Sequence, residues 1–461
     1  MVRLLLNSIQ SIGLWLSSST PSFPVSGDQV SILHHPDEFH QTLIDLCSQA
    51  KRRISLVSLY LGVGEKEQKL VNAIQFRSQI VGSSLKIKVL LDAVRGSRGE
   101  TKTSRTMVLP LLKENPSSQV ALFHSPKLKG ILHTLLPTRY NELIGLQHIK
   151  LYIIDDTVIM SGANLSHDYF TNRQDRYVIV RNCGQLADFF DGLVDILCDM
   201  SLQLDDSNKT TFPKRSYHPY EGNSTLYISE LQRRIDSYYK SHVNSSRKLE
   251  ESDTWIFPTV EIPFCGINYD SELTTKLLES VPENSKILLA SGYFNLTEQL
   301  AQAILLSKSE CNLLMAHPSA NGFYLSAGFS QHIPAMYTAI SREFFDKVEA
   351  AKQSDRVKLY EYIRKGWTFH GKGLWITLPN ETWPQLTVVG SSNFGIRSRH
   401  RDLESQIIIV TDNAKLRKEL YLEQQKLFEF GHPVNRAVFY EVDRQIPKWI
   451  NQFLWIFKNF L

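Results

Sequence analysis

The chain has 461 residues, 42% of them hydrophobic, with 18 tyrosines and 23 phenylalanines. That excludes a disordered chain and leaves room for two or three domains. A net charge of +4 suits anionic lipid or a phosphorylated substrate and is weak for a nucleic-acid binder.

Residues 1–27 carry Arg3 and no acid before Asp28, and Leu4, Leu5, Leu6, Ile9, Ile12, Leu14 and Leu16 alternate with serine and glutamine. This pattern fits an amphipathic transit segment over 1–29 or a disordered tail. No run of 18 apolar residues occurs, so no spanning helix is expected. The five cysteines, at 47, 183, 198, 265 and 311, form no Cys-x-x-Cys motif. They read as reduced, mostly buried thiols and not as disulfides or a zinc site.

From residue 36 the pattern alternates between helix and strand. Asp37 to Ala50 predicts a helix, Ile54 to Tyr60 a strand, Lys69 to Ser78 a helix and Lys86 to Leu91 a strand. This is the rhythm of an α/β domain. Arg95, Arg98 and Arg105 follow the second strand, a position suited either to a phosphate or to a solvated loop. Residues 126–137 are apolar, basic and bounded by Pro126 and Pro137. They suit a membrane-dipping loop or a packed connector.

Residues 147–164 predict a β-hairpin, with two apolar runs around the turn Asp155-Asp156-Thr157. His148 and Lys150, two apart on its first strand, leave the same face. Asn164 follows the second strand, next to Gly162, where backbone can approach a ligand closely. A base or nucleophile, a cation and an amide donor so converge at one sheet edge, which suits chemistry on a phosphate. The pattern recurs: His370 and Lys372, then Asn393. Asp175 lies eleven residues after Asn164, and Glu404 eleven after Asn393. His to Asn spans 16 residues in the first copy and 23 in the second, where the turn-rich stretch 379–384 lengthens the hairpin tip. The strands repeat as well: 286–293 matches 54–60, 312–316 matches the strand before Arg95, and 357–362 matches 121–124. A repeat of roughly 220–230 residues predicts two homologous α/β lobes facing one another. The division expected is one lobe over 30–203, a linker over 204–253 containing a helix at 226–239, and a second lobe over 254–445. In the tail, 446–461, apolar residues fall at helical spacing with Phe453, Trp449 and Trp455 among them. Such a helix either lies on a membrane or packs on the second lobe.

The two His-x-Lys…Asn…Asp/Glu sets resemble the phospholipase D superfamily, whose motif is His-x-Lys-x4-Asp with a downstream Gly/Ser-x-Asn. Within it the chain is similar to phosphatidyltransferases that use CDP-diacylglycerol and glycerol 3-phosphate. The stretches carrying this are LLDAVRGSRG (90–99), GLQHIKLYIIDD (145–156), SGANLSHDYFTNRQDRY (161–177), GWTFHGKGLW (366–375) and GSSNFGIRSRHRDLE (390–404). The resemblance runs from about residue 30 to the end. It implies two phospholipase D-like α/β lobes in a pseudo-two-fold pair with the active site between them. It also implies a mitochondrial enzyme, peripheral on the matrix side of the inner membrane.

Imidazole can supply a neutral nucleophile near pH 7. His148 is therefore expected to form a phosphatidyl-histidine, with Asp155 orienting it. His370 is expected to act as acid and base. Lys150 and Lys372 should neutralise phosphate oxygens, Asn164 and Asn393 should donate hydrogen bonds, and Asp175 and Glu404 should fix the opposing histidines' tautomers. Arg173, Arg176, Arg397, Arg399 and Arg401 should either clamp substrate phosphates or form structural ion pairs. No His/Asp/Glu ligand cluster is legible, so neither a metal nor another cofactor is expected. Thr377 stands where the second motif requires its aspartate, which leaves the symmetry of the site open. Three alternatives remain: a sister transferase making phosphatidylserine or cardiolipin, a hydrolase, and a non-catalytic membrane scaffold.

Overall fold

A computed structural model describes residues 9–129, 144–213, 217–244 and 252–461. In chain order the strands are β1 (Phe23–Val25), β2 (Val30–Leu33), β3 (Arg53–Val57), β4 (Lys86–Asp92), β5 (Ser118–Phe123), β6 (Leu151–Ile154), β7 (Thr157–Ser161), β8 (Arg173–Gln174), β9 (Tyr177–Val180), β10 (Leu202–Leu204) and β11 (Thr210–Thr211). The second half supplies β12 (Thr254–Ile262), β13 (Ile267–Asn268), β14 (Lys286–Ser291), β15 (Glu310–Ala316), β16 (Val357–Tyr362), β17 (Thr368–Phe369), β18 (Lys372–Thr377), β19 (Leu386–Gly390), β20 (Glu404–Thr411) and β21 (Gly431–Pro433).

The repeat read from the sequence is a repeat of topology. The first sheet runs β2-β9-β7-β6-β3-β4-β5-β10-β11, and the second runs β1-β12-β20-β19-β18-β14-β15-β16-β21. From β2 and β12 onward the two orders correspond strand for strand, with β3-β4-β5 and β14-β15-β16 parallel and their neighbours antiparallel. The central strands are apolar on both faces because helices or the opposite lobe cover both. β20, with Ile407, Ile408 and Ile409 all fully buried, is one of them. The fold is thus the expected α/β pair.

A single apolar cluster joins the lobes. It holds Val57, Leu151 and Met160 from the first lobe and Ile256, Trp375, Val389 and Ile407 from the second. Helix Ser224–Asn244 supplies Tyr227, Leu231, Ile235 and Tyr239 to the same cluster. The stretch 204–253 is therefore more than a tether. Its helix has apolar residues at helical spacing, and these fill the seam between lobes.

The start of the chain departs further from expectation. Helix Ile9–Ser17 buries Ile9, Ile12 and Leu16 among second-lobe residues such as Phe257 and Leu289. β1 pairs antiparallel with β12, and the Thr20 hydroxyl donates to the Pro258 carbonyl at 2.7 Å. From Ile9 the segment read as the rest of a transit stretch is packed into the second lobe's core. Its alternating apolar residues read as a targeting pattern because local sequence does not show a docking partner more than 200 residues away. All five cysteines are free and buried. Among the described residues no helix is long and apolar enough to cross a membrane.

Candidate active site

The two histidine segments stand just before β6 and at the start of β18, where each lobe reaches across to the other. His148 donates its backbone N–H to the Leu403 carbonyl at 2.9 Å, and His370 donates its own to the Gln174 carbonyl at 2.8 Å. Residues 147–150 are consequently not part of the hairpin strand, which begins at Leu151. Their backbone pairs with the opposite lobe instead, Gln147 bridging Leu403 just as β17 pairs with β8.

This crossing places each imidazole beside the carboxylate that follows its backbone partner. His148 Nδ1 lies 2.9 Å from Glu404 Oε1, and His370 Nδ1 lies 2.6 Å from Asp175 Oδ2. Each lysine folds back on its own histidine: Lys150 Nζ donates to the His148 carbonyl at 2.6 Å, and Lys372 Nζ to that of His370 at 2.8 Å. The Lys372 ammonium also sits 2.8 Å from His370 Nδ1. The approach needs Gly162. A Cβ there would stand 2.7 Å from Asp175 Oδ1 and 3.0 Å from the Lys372 side chain. Matching serines hold Asn164 and Asn393 by different atoms, the Ser58 hydroxyl reaching the side-chain Oδ1 of Asn164 at 3.5 Å and the Ser291 hydroxyl donating to the backbone carbonyl of Asn393 at 2.9 Å. Asn393 Oδ1 is buried and has no hydrogen-bond partner among the described residues.

Burial sets the electrostatics. It holds both imidazoles well below their ordinary pKa, with the neighbouring lysine the next cause in each case. Both are therefore neutral at pH 7, with a nitrogen lone pair available. Burial also raises the Glu404 carboxyl and takes that of Asp175 up to about 6, against the pull of the lysines. Lys150 is lowered well below its usual value, and Lys372 comes down to about 8. Two limbs follow for the pH profile. Asp175 gains a proton below about pH 6 and releases His370; Lys372 loses its charge above about pH 8. The profile of kcat/KM, which reports the free enzyme, should be a bell between these limits. Lys372→Arg should remove the Lys372 share of the alkaline limb, because guanidinium stays charged, and leave a limb set by Lys150, itself lowered by burial. A profile flat from pH 5 to 10 would exclude both groups as ionisations that matter.

Asp155 is not in the site, which corrects the sequence reading. It takes a left-handed φ of 50° at the hairpin tip and accepts the backbone N–H groups of Lys51, Arg52 and Arg53. β6 separates it from His148, so the two cannot touch. Its task is to close the turn against the start of β3. That explains Thr377. The second lobe ends its longer hairpin differently, with Gln385 accepting the Leu378 N–H at 3.0 Å. The missing carboxylate leaves the chemical residues symmetric.

The arginines divide. Arg173 lies at the site, its guanidinium over the Tyr169 ring and 3.1 Å from Asp168. Arg95 stacks over Tyr60 at the mouth, and Arg98 is exposed beyond it. Arg176 is fully buried, bound two-pronged to Glu423 at 2.8 Å and stacked on Trp375. Buried protein partners take up its guanidinium. Arg397 grips Asp402 and the Phe460 carbonyl, Arg401 the Asn459 carbonyl, and Arg399 pairs with Glu261. The tail and neighbouring carboxylates thus occupy these three.

Several residues here were not singled out from sequence. Asp92 accepts the Arg95 and Gln147 N–H groups, tying the arginine turn to the His148 segment. The Ser398 hydroxyl donates to Glu404, and the Tyr169 hydroxyl lies 3.2 Å from His370 Nε2. For Ser398 and Tyr169 the only sequence signal is position between the motif Asn and the acid eleven residues on, and Asp92 stands in the stretch 90–99. The structure also corrects the expectation of no ligand cluster: His148, Asp402 and Glu404 offer ligand atoms within 4.8 Å of one another. Those donors are already engaged. Arg397 and the Leu146 N–H hold Asp402, while Ser398 and His148 hold Glu404.

No protein-family model matches the chain. The mitochondrial CDP-diacylglycerol–glycerol-3-phosphate 3-phosphatidyltransferase of Homo sapiens is 42% identical over 475 residues, covering 97% of this chain and 85% of that protein. The enzyme of that name from Schizosaccharomyces pombe is 31% identical, over 90% of this chain and 91% of its own length. Among solved structures, phosphatidylserine synthase from Haemophilus influenzae superposes with a TM-score of 0.76 over 98% of this chain and 100% of its own, at 19% identity. That likeness bears out the two-lobed phospholipase D-like fold. On the sequence relatives, the chain belongs to the family of CDP-diacylglycerol–glycerol-3-phosphate 3-phosphatidyltransferases.

Proposed function

We propose that the chain transfers the phosphatidyl group of CDP-diacylglycerol to glycerol 3-phosphate, releasing CMP, by way of a phosphatidyl-histidine. The observation that carries this reading is the reciprocal pairing of His148 with Glu404 and His370 with Asp175 across the lobes. It puts two neutral imidazoles and two lysines at one cleft, as displacement at phosphorus requires. His148 takes the nucleophile's part. Its side chain is the more exposed of the two, 13% against 4%, and among the described residues no hydrogen bond engages its Nε2. Nε2 attacks phosphorus, the bond to the CMP oxygen breaks, and Glu404 balances the charge on the imidazole. An alcohol of glycerol 3-phosphate then gives its proton to His370 and attacks phosphorus, and the P–N bond breaks. Lys150, Lys372, Asn164 and Asn393 serve the phosphate oxygens, and Arg173 and Arg95 are the guanidinium groups placed to meet a substrate phosphate. No step calls on a metal.

The test is purified protein with CDP-diacylglycerol in detergent and excess chelator, against a panel of acceptors. CMP release that depends on glycerol 3-phosphate is expected. Release driven by serine, phosphatidylglycerol or water would reassign the chain to a sister class. No turnover with any acceptor would return it to a scaffold.

The lipid substrate also requires a membrane surface. We place the contact on helix Lys448–Phe457, which docks on helix Ile333–Ala350 through Ile450 and leaves Trp455 70% and Phe453 41% exposed. Residues 126–137 are only partly described: Pro126 and Leu128 are buried, Lys127 is exposed, Lys129 donates to Ser224, and 130–137 lie outside the described residues. Trp455→Glu should weaken binding to anionic liposomes severalfold with the melting temperature unchanged, since Trp455 supports no core. Unaltered liposome binding would remove the helix from the contact. A mitochondrial site, on the matrix side of the inner membrane, is the compartment this reading expects.

A further inference from the structure

The two histidines are not equivalent, and the difference lies five residues after each motif asparagine. After Asn164 that position is Tyr169; after Asn393 it is Ser398. Ser398 turns its hydroxyl to Glu404 at 2.8 Å and so braces the carboxylate. Tyr169 instead brings its phenol to 3.2 Å from His370 Nε2, the ring nitrogen opposite the one Asp175 holds. The ring stands edge-on to the imidazole, at 82°. Its backbone sits in the short turn His167–Phe170, whose start Glu67 fixes by accepting the His167 N–H. We propose that Tyr169 is a catalytic proton relay between the acceptor's hydroxyl and His370.

The direction of the hydrogen bond follows from the neighbours. With the Asp175 carboxylate as acceptor at Nδ1, Nε2 of the neutral imidazole carries the lone pair, and two donors face it at 3.2 Å, the Tyr169 phenol and the Lys372 ammonium; of the two, only the phenol can both give and take a proton in one step. Tyr169 is only 2% exposed, and burial holds its hydroxyl protonated far above neutral pH. A phenol so held cannot act as a base by itself. It can pass a proton on in concert, releasing its own as it takes another. Tyr60, Tyr293 and Arg173 lie close enough to act on its charge. Arg173 also stacks over the Tyr169 ring, so a guanidinium that could meet the acceptor's phosphate stands beside the phenol.

The step balances. As the acceptor oxygen attacks phosphorus, its proton passes to the Tyr169 oxygen and the Tyr169 proton passes to His370 Nε2. The P–O bond forms, and the bond between phosphorus and His148 Nε2 breaks. Tyr169 ends as it began, and His370 carries the proton. The first displacement has no such need, because CMP leaves as a phosphate whose second pKa is about 6. His148, the nucleophile, correspondingly has a serine in the matching place.

The inference rests on the roles proposed above for the two histidines, so the experiment separates the two. Tyr169→Phe and His370→Ala are each mixed with CDP-diacylglycerol and then with glycerol 3-phosphate. CMP and protein-bound lipid are followed by rapid quench and mass spectrometry. Tyr169→Phe should keep a CMP burst near one per site and accumulate the adduct on His148. Its glycerol 3-phosphate-dependent turnover should fall about 10²–10⁴-fold, the usual range for acid–base assistance. The wild type should show a bowed proton inventory in mixed H₂O and D₂O, with two protons in flight, and Tyr169→Phe a linear one. A Tyr169→Phe enzyme with wild-type turnover and no adduct overturns the relay, provided His370→Ala still traps the adduct. No adduct in His370→Ala would overturn the histidine roles themselves. A straight wild-type inventory overturns the relay independently of any variant.

Discussion

Replacing His148 by alanine should abolish both CMP release and lipid transfer, while replacing His370 should spare the first and block the second. The asymmetry follows from what each step demands. The first needs a lone pair on phosphorus and a leaving group that departs without much protonation. The second must take a proton from an alcohol, and a general base contributes about 10²–10⁴-fold to such a step. His370→Ala should therefore release close to one CMP per site and strand an acid-labile phosphatidyl group on His148, visible by intact-protein mass spectrometry. His148→Ala should release none. Residues that act as a unit do not contribute additively, so the double variant should be no worse than His148→Ala. Finding the adduct on His370 in His148→Ala would reverse the roles. Absence of adduct in every variant, with a burst-free wild type, would favour single displacement.

The same two histidines were legible in sequence because the motif occurs twice with one spacing to the acid. So were the α/β class, the repeat and the cross-lobe pairing of Asp175 and Glu404 with the histidines. Each depends on a periodicity or an interval, which sequence carries directly. What was not legible depends on contacts between distant segments. Asp155 belongs to the motif but serves the backbone N–H groups at the start of β3. Nothing in the interval between it and His148 says which end of the strand does chemistry. Residues 9–25 resemble a leader until β12 is there to pair with β1. Tyr169 passes for core, since an aromatic in such a stretch usually is, and only the approach of His370 from the other lobe reveals its hydroxyl's partner. The arginines show the same limit. Arg173 and Arg176 are three residues apart; one faces the site and the other is sealed beneath it.

Arg176 supplies the largest effect expected on stability. Its guanidinium donates to both oxygens of Glu423, to the Val388 carbonyl at 2.8 Å and to the Thr387 hydroxyl at 3.0 Å. It also lies 3.8 Å from the centre of the Trp375 ring, whose indole N–H donates to Glu423 as well. Arg176 stands in the first lobe and the partners of its guanidinium in the second, so the cluster pins the lobes together directly behind Gly373. A Cβ on Gly373 would fall inside the guanidinium's contact distance. Arg176→Met keeps the volume and removes the charge. Glu423 is then left buried with the indole and without its cation, a loss on the order of 3–5 kcal/mol. The melting temperature should fall sharply, and Glu423→Met added to Arg176→Met should restore much of it, because an apolar pair of similar volume replaces a buried ion pair at little cost. The folded fraction of Arg176→Met should keep its KM for both substrates. If instead KM for CDP-diacylglycerol or glycerol 3-phosphate rose about 100-fold, nearly 3 kcal/mol of binding, with the melting temperature unchanged, Arg176 would be the phosphate clamp that its place in the motif suggested.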